Sequence, residues 1–202
     1  MKPFRPARLV IIGPSGAGKG TQAKLIEKKF GWKHISSGEL FRQEIKKQTA
    51  LGRQIEDLIN RGIFVSTELT FTVLKPVLDQ WWDKGFILDG FPRLPDQPPI
   101  LDEYLADKGA TLDIVFYLRV SSKVVLARVK EKWARGERFQ PGRSDETLEA
   151  IKNRLAWSKK TLDSIVNYYR QQGILAEIDG ERPIEPIHQD IVKLIKEQIF
   201  QL

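Results

Sequence analysis

Short runs rich in apolar residues fall at positions 8–12, 33–35, 86–89, 114–119 and 175–178, each too brief for a helix. Runs of this length predict strands buried on both faces, as in a parallel sheet. Between them the period changes. Ala23, Ile26 and Phe30 recur at helical spacing, as do Leu51, Ile55, Leu58 and Ile59, so amphipathic helices are expected there, with the apolar stripes serving packing. Strands alternating with helices predict an α/β fold: a five-stranded parallel sheet flanked by helices.

Two stretches break the pattern. Pro92, Pro95, Pro98 and Pro99 crowd one segment and are expected to exclude regular structure, so the chain should leave the strand at Asp89 as a loop. Residues 136–142 read as a second exposed excursion. The chain shows no internal repeat and no interdomain linker, and one domain over 1–202 is expected.

Composition narrows the class. With 202 residues, 41% of them hydrophobic, the chain is long enough to bury roughly 70% of its unfolded surface. Cysteine is absent, which speaks against disulfides and a zinc cluster, and the residues after Met1 lack the apolar stretch of a signal peptide. No apolar run approaches the roughly 20 residues of a membrane helix. A cytoplasmic protein without a membrane partner is expected. The net charge of +7 and pI near 9.5 would suit nucleic acid, yet the lysines are interleaved with acids, as in Glu27, Lys28, Lys29 and Glu44, Lys46, Lys47. Such mixing describes a solvated helix face, and a cleft for a polyphosphate raises the charge without nucleic acid.

The strongest local signal is Gly13-Pro14-Ser15-Gly16-Ala17-Gly18-Lys19, which follows an apolar run and opens a helical pattern. Glycines let backbone N–H groups curl around phosphate oxygens, the helix N-terminus adds partial positive charge, and Lys19 can reach the outer phosphates. The position after Lys19, usually a hydroxyl residue that ligates magnesium, is Gly20, and Thr21 follows. Mg2+ should therefore be held mainly by phosphates and waters, with Asp89 orienting one such water.

The run from Gly13 to Gln22 resembles the opening signature of adenylate kinases and their relatives, the nucleoside monophosphate kinases. The resemblance continues through His34-Ile35-Ser36-Ser37-Gly38-Glu39-Leu40-Phe41-Arg42, through Phe86-Ile87-Leu88-Asp89-Gly90-Phe91-Pro92-Arg93, and through the block from Gly142-Arg143-Ser144-Asp145 to Arg154. Ser15 and Glu39 stand where family members commonly have Pro and Asp, and neither change removes a phosphate-binding group. The resemblance implies a P-loop kinase core with a monophosphate-binding insert at about 36–66. It also implies a lid at about 134–144, of the short class without a zinc insert.

By the same resemblance the substrates are ATP and AMP, Mg2+ travels with the nucleotide, and the enzyme is a monomer. Gly16, Ala17, Gly18, Lys19, Gly20 and Thr21 are implied to hold the ATP phosphates, with Arg128 and Arg182 near its adenine and ribose. Ser37, Arg42, Ile63, Phe64, Val65, Gly90, Phe91, Pro92, Arg93 and Gln97 are implied to form the AMP site. Arg135, Arg143 and Arg154 are implied to converge with Lys19 on the transferring phosphoryl group, although Lys132 or Arg138 would also suit the place of Arg135. Arginine suits these places because its planar guanidinium grips phosphate oxygens bidentately and stays charged.

Gln97 offers a carboxamide donor and acceptor to the adenine edge, and Ser37 stands where pyrimidine-specific relatives tend to have Ala. A UMP/CMP kinase of the same family and a nucleotide-binding module without turnover remain as alternatives at this stage. His34 and His188 are assigned no role, and Trp32, Trp81, Trp82, Trp133 and Trp157 are read as packing residues.

Overall fold

The computed structural model describes residues 5–137 and 147–201. Strands β1 (Arg8–Ile12), β2 (Lys33–Ser36), β3 (Phe86–Asp89), β4 (Ile114–Arg119) and β5 (Leu175–Asp179) form one parallel sheet in the order β2-β3-β1-β4-β5. β2 and β5 each run one residue past the apolar pattern, because Ser36 and Asp179 still pair across the ladder with Asp89 and Arg119. The described α-helices are α1 (Lys19–Phe30), α2 (Ser37–Lys46), α3 (Ala50–Asn60), α4 (Thr67–Trp81), α5 (Gln97–Ala106), α6 (Ser122–Ala134), α7 (Leu148–Gln171) and α8 (Ile184–Ile195).

Alternation along each strand sends side chains to two cores. Leu9 and Ile11 of β1 join Ile87, Phe116 and Leu118 under α1, α6 and α8, while Val10 and Ile12 join Phe86, Leu88 and Val115 under α4, α5 and α7. Both faces are covered, which is why the strands read as unbroken apolar runs. Each buried aliphatic side chain contributes roughly 1.5–3 kcal/mol, so truncating Ile11 to Ala, with a cavity added, costs about 2–5 kcal/mol. A third, smaller cluster of Phe41, Ile55 and Val65, flanked by Ile45, Leu51, Ile59, Leu69 and Val73, holds α2, α3 and the start of α4 together apart from the sheet. Side-chain caps start these helices: Ser36 Oγ accepts the Glu39 N–H (3.4 Å) and Thr49 Oγ1 accepts the Gly52 N–H (2.8 Å).

β1 lies between β3 and β4. The chain leaves β1 for the β2 edge and later passes from β3 to β4 on the far side of β1, so its connections part at the carboxyl end of β1. That is where open α/β sheets form ligand crevices.

The proline-rich segment departs from expectation in its second half. Residues 90–96 are irregular, with a cis Phe91–Pro92 peptide bond, but α5 begins at Gln97 and takes Pro98 and Pro99 into its first turn. No intrahelical bond needs a backbone N–H there, so these prolines start a helix rather than exclude one. The excursion expected at 136–142 lies, beyond Glu137, outside the described residues. Trp32 stacks on Phe30 (4.6 Å), Trp81 and Trp82 pack on the second cluster and Trp133 on the first, as expected. Trp157 differs: it stands on α7, 38% exposed, with its ring 6.0 Å from that of Phe64. No described helix is long and apolar enough to cross a membrane.

Candidate active site

β1 delivers the chain into the glycine-rich loop, and α1 starts at Lys19 behind Gly18, whose φ of 97° is left-handed. The first turn of α1 carries no acidic residue, so its N-terminal N–H groups keep their partial positive charge for an anion. Lys19 is buried, and its Nζ donates to the carbonyls of Gly13 (3.0 Å) and Pro14 (2.9 Å), while the Ala17 N–H donates to the Pro14 carbonyl (3.1 Å). The loop thus curls around its own lysine, and Gly16 lies within the curl. Thr21 faces outward on α1.

Asp89 ends β3 beside this loop. A Cβ at Gly20 would lie 3.4 Å from Asp89 Oδ2, in ordinary contact, so position 20 faces the carboxylate. Burial pushes the Asp89 carboxyl up, but the neighbouring His34 and the charges of Lys19, His34 and Arg93 outweigh it and hold it below the ordinary carboxylate range. His34 Nε2 is buried 3.7 Å from Asp89 Oδ2 with no hydrogen-bond partner. Sequence reading gave this histidine no part. It depends on β2 pairing with β3, which no local pattern reports.

Two clefts open on either side of the segment after β3. The first, a narrow crevice of ≈ 20 Å³, is lined by Gly13, Lys19, Phe64, Gly90, Pro92 and Arg93 with parts of β1 and α7. The second, of ≈ 70 Å³, is lined by Ser37, Arg42, Ile63, Phe64, Val65, Gly90, Arg93, Gln97 and Arg154 among others. Phe64, Gly90 and Arg93 belong to both and form the wall between them. Phe91 lines neither; its ring is wholly buried in the second core, where it anchors the loop.

Gly90 is tightly constrained. Its φ is 87°, and a Cβ would fall 2.4 Å from Ser37 Oγ and 3.1 Å from Arg93 Nη2, so only glycine lets both side chains approach. Ser37 Oγ donates to the Gly90 carbonyl (2.8 Å), and Arg93 Nε donates to the same oxygen (3.0 Å). Gln97, almost fully buried, accepts the backbone N–H of Arg93 (2.5 Å) and of Leu94 (3.2 Å) on its Oε1. This corrects the expectation that Gln97 presents both a donor and an acceptor to a base: the acceptor is occupied, and the Nε2 donors remain.

Arg154 is buried on α7 and its Nη2 donates to the Ile59 carbonyl (3.3 Å). Arg135 caps α6 on the surface in an ion pair with Glu137 (2.9 Å), and lines neither cleft. Arg143 and Arg138 lie outside the described residues. On the other side of the loop, Arg128 Nη2 donates to the Gly180 carbonyl (2.9 Å), and Arg182 bonds the Asp179 carbonyl (3.3 Å) and the Asp190 carboxylate. Beside them Ile184 is 57% exposed, and its carbonyl accepts Gln22 Nε2 of α1 (3.0 Å). Sequence reading passed over Ile184, because an isolated apolar residue at a helix start carries no signal of exposure.

Among the described residues no group of three His, Cys, Asp or Glu gathers to hold a metal. The arrangement is one of phosphate-binding amides and guanidinium groups around two adjoining clefts, with the Asp89 carboxylate beside the phosphate loop.

A family model described as adenylate kinase matches residues 11–174. The chain is 39% identical over 186 residues to an adenylate kinase of Azobacteroides pseudotrichonymphae genomovar. CFP2, covering 92% of this chain and 95% of that protein. It is 38% identical over 183 residues to an adenylate kinase of Prochlorococcus marinus (strain MIT 9301), covering 91% and 95%. With an adenylate kinase of Clostridium botulinum (strain 657 / Type Ba4) the identity is 34% over 211 residues, covering 93% and 98%.

Proposed function

The chain belongs to the adenylate kinase family and is a phosphotransferase acting on nucleoside monophosphates, and we propose that it moves a phosphoryl group between ATP held at the loop 13–18 and AMP held in the cleft of Arg42 and Arg93. The observation that carries this reading is the shared wall: Lys19 lines one cleft, Arg42 and Arg154 line the other, and Arg93 lines both.

Phosphoryl transfer asks the protein chiefly for positioning and charge stabilisation. The loop amides and the start of α1 hold the polyphosphate, and Lys19 swings from the Gly13 and Pro14 carbonyls to the transferring group. Arg42 and Arg93 fix the monophosphate. Arg154, with Arg143 and Arg135 brought in by the lid, offsets the charge spread over the transferring oxygens. The adenine of ATP rests on the exposed Ile184 between Arg128 and Arg182, a place supported by the exposure of that side chain beside two cations.

Base choice follows from hydrogen-bond polarity. Ser37 Oγ, having donated to Gly90, retains lone pairs, and Gln97 Nε2 retains donors. An acceptor for an exocyclic amine beside a donor for a ring nitrogen matches adenine. Uracil and guanine invert that pattern, and cytosine shares it but, as a smaller ring, buries less surface in the cleft.

Members of this family use Mg2+ with ATP. Asp89 fits the ion: it is one hard, ionised carboxylate at the mouth of the phosphate loop, beside a position where Gly20 leaves room. Asp89 would hold it through water, and the bound ion would neutralise charge on the phosphates. No zinc is expected. The lack of cysteine supports a reducing, cytoplasmic setting, and a monomer is proposed from the family. Chromatography of products from ATP plus AMP tests the function: ADP must accumulate, with Mg2+ dependence.

A further inference from the structure

Segment 59–64, the end of α3 and the start of its connection to α4, is pinned to α7 at four places. Arg154 Nη2 donates to the Ile59 carbonyl (3.3 Å), and Asn153 Nδ2 donates to the Arg61 carbonyl (2.9 Å). Gly62, with φ 70°, passes so near α7 that a Cβ would sit 2.3 Å from the Ala150 carbonyl. Last, the Phe64 ring meets the Trp157 ring at 6.0 Å and 37°. The other face of the contact is the phosphate site, where the Arg93 guanidinium lies 5.2 Å from the Phe64 ring centroid.

We propose that Phe64 is a positioning residue for the monophosphate site, holding the Arg93 guanidinium against its ring and linking it, through Trp157, to α7 and Arg154. The inference rests on the adenylate kinase reading above. Arg93 Nε also donates to the Gly90 carbonyl, which fixes one edge of the guanidinium. The Phe64 ring adds a further restraint, because a cation over a ring is attracted to the ring's negative face. Aliphatic residues of similar volume fill the space and supply no such preference. Trp157 backs the Phe64 ring from the solvent side, which accounts for a large aromatic residue left 38% exposed on α7. Arg93, Phe64 and Trp157 form a row from the cleft to α7, so filling the monophosphate site should alter the surroundings of Trp157.

Phe64→Leu, Phe64→Tyr and Trp157→Ala are to be compared with the wild type by steady-state kinetics varying AMP and ATP separately. Phe64→Leu is expected to raise KM for AMP about three- to fivefold with KM for ATP changed less than about 1.5-fold, the size of a partly exposed cation–π contact. Phe64→Tyr keeps the ring and should restore the wild-type value. Trp157→Ala, at a partly exposed site that folding tolerates, should raise KM for AMP about twofold, half the Phe64 effect because it removes the backing and not the ring. AMP alone should change the tryptophan emission that distinguishes wild type from Trp157→Ala. Unaltered KM for AMP in Phe64→Leu and Trp157→Ala, equal increases for both substrates, or failure of Phe64→Tyr to rescue overturns the proposal. If Phe64→Leu does not fold, Trp157→Ala and the emission change decide it alone. ADP formation by the wild type in the same assay establishes the underlying function independently, so an active wild type with unaffected variants overturns only this inference.

Discussion

Gln97 Oε1 accepts the backbone N–H of Arg93 at 2.5 Å, so the residue that faces the base cleft also shapes the turn that carries the phosphate-binding arginine. The same oxygen takes the Leu94 N–H at 3.2 Å. Base reading and phosphate reading are therefore one construction, and a truncation at position 97 disturbs both.

Two substitutions separate these contributions. Gln97→Ala leaves two partly buried N–H groups without their acceptor and should cost about 1 kcal/mol of stability, with KM rising for every monophosphate. Gln97→Glu keeps an acceptor for both N–H groups, removes the donors and adds a buried carboxylate beside Arg93, so the loop should hold its turn while the preference for AMP erodes. Arg93→Ala should abolish turnover of all monophosphates. Equal melting temperatures for Gln97→Ala and wild type would contradict the role of Oε1.

Lys19→Met removes the charge that the phosphate loop stores against its own carbonyls. A fall in kcat of at least about a hundredfold, or about 2.7 kcal/mol, is expected. The check is single-turnover transfer with both nucleotides saturating. A variant within threefold of wild type sinks the assignment.

What could be seen in the sequence was local. The run 8–12, the glycine spacing and Lys19 lie within a dozen residues, and the helical stripes need only their own period, so strands, α1, α3 and the phosphate loop were all legible. Contacts set by distant pairing were not. His34 meets Asp89 because β2 joins β3, Arg154 reaches the Ile59 carbonyl across 95 residues, and Phe64 meets Trp157 only through the docking of segment 59–64 on α7. Pro98 and Pro99 misled for another reason: proline breaks a helix interior but suits its first turn, and nothing nearby marked where α5 begins.

His188 offers a pH test away from the clefts. Burial lowers its pKa, and Lys29 on α1 adds to this while Glu185 on α8 opposes it. The folded value lies below the unfolded one of about 6.5, so the unfolded chain takes up a proton first as pH falls. Stability from this site is full above about pH 6.5 and is lost below it, at up to about 1.4 kcal/mol per pH unit. His188→Gln should flatten the decline in unfolding free energy between pH 6.5 and 5. An unchanged slope would show that the ring does not titrate differently on folding.

Closure over the substrates is expected at 36–66 and at 134–144, to keep water from the transferring phosphoryl. Hydrogen exchange with a bisubstrate analogue that spans both sites should slow in both segments together. Exchange unchanged in either would contradict the assignment of that segment as a mobile cover.

The most direct measurement is the nucleotide product profile with ATP and Mg2+ as donor and AMP, CMP, UMP or GMP as acceptor, separated by chromatography. Transfer to AMP is the central claim, and kcat/KM for AMP should exceed that for each competitor by at least about tenfold: UMP and GMP leave Ser37 or Gln97 unpaired at about 1–3 kcal/mol per group, while the smaller cytosine ring of CMP buries less surface in the cleft. Two molecules of ADP should appear for each ATP and AMP consumed. Faster conversion of UMP or CMP, or no ADP from AMP at all, would contradict the account.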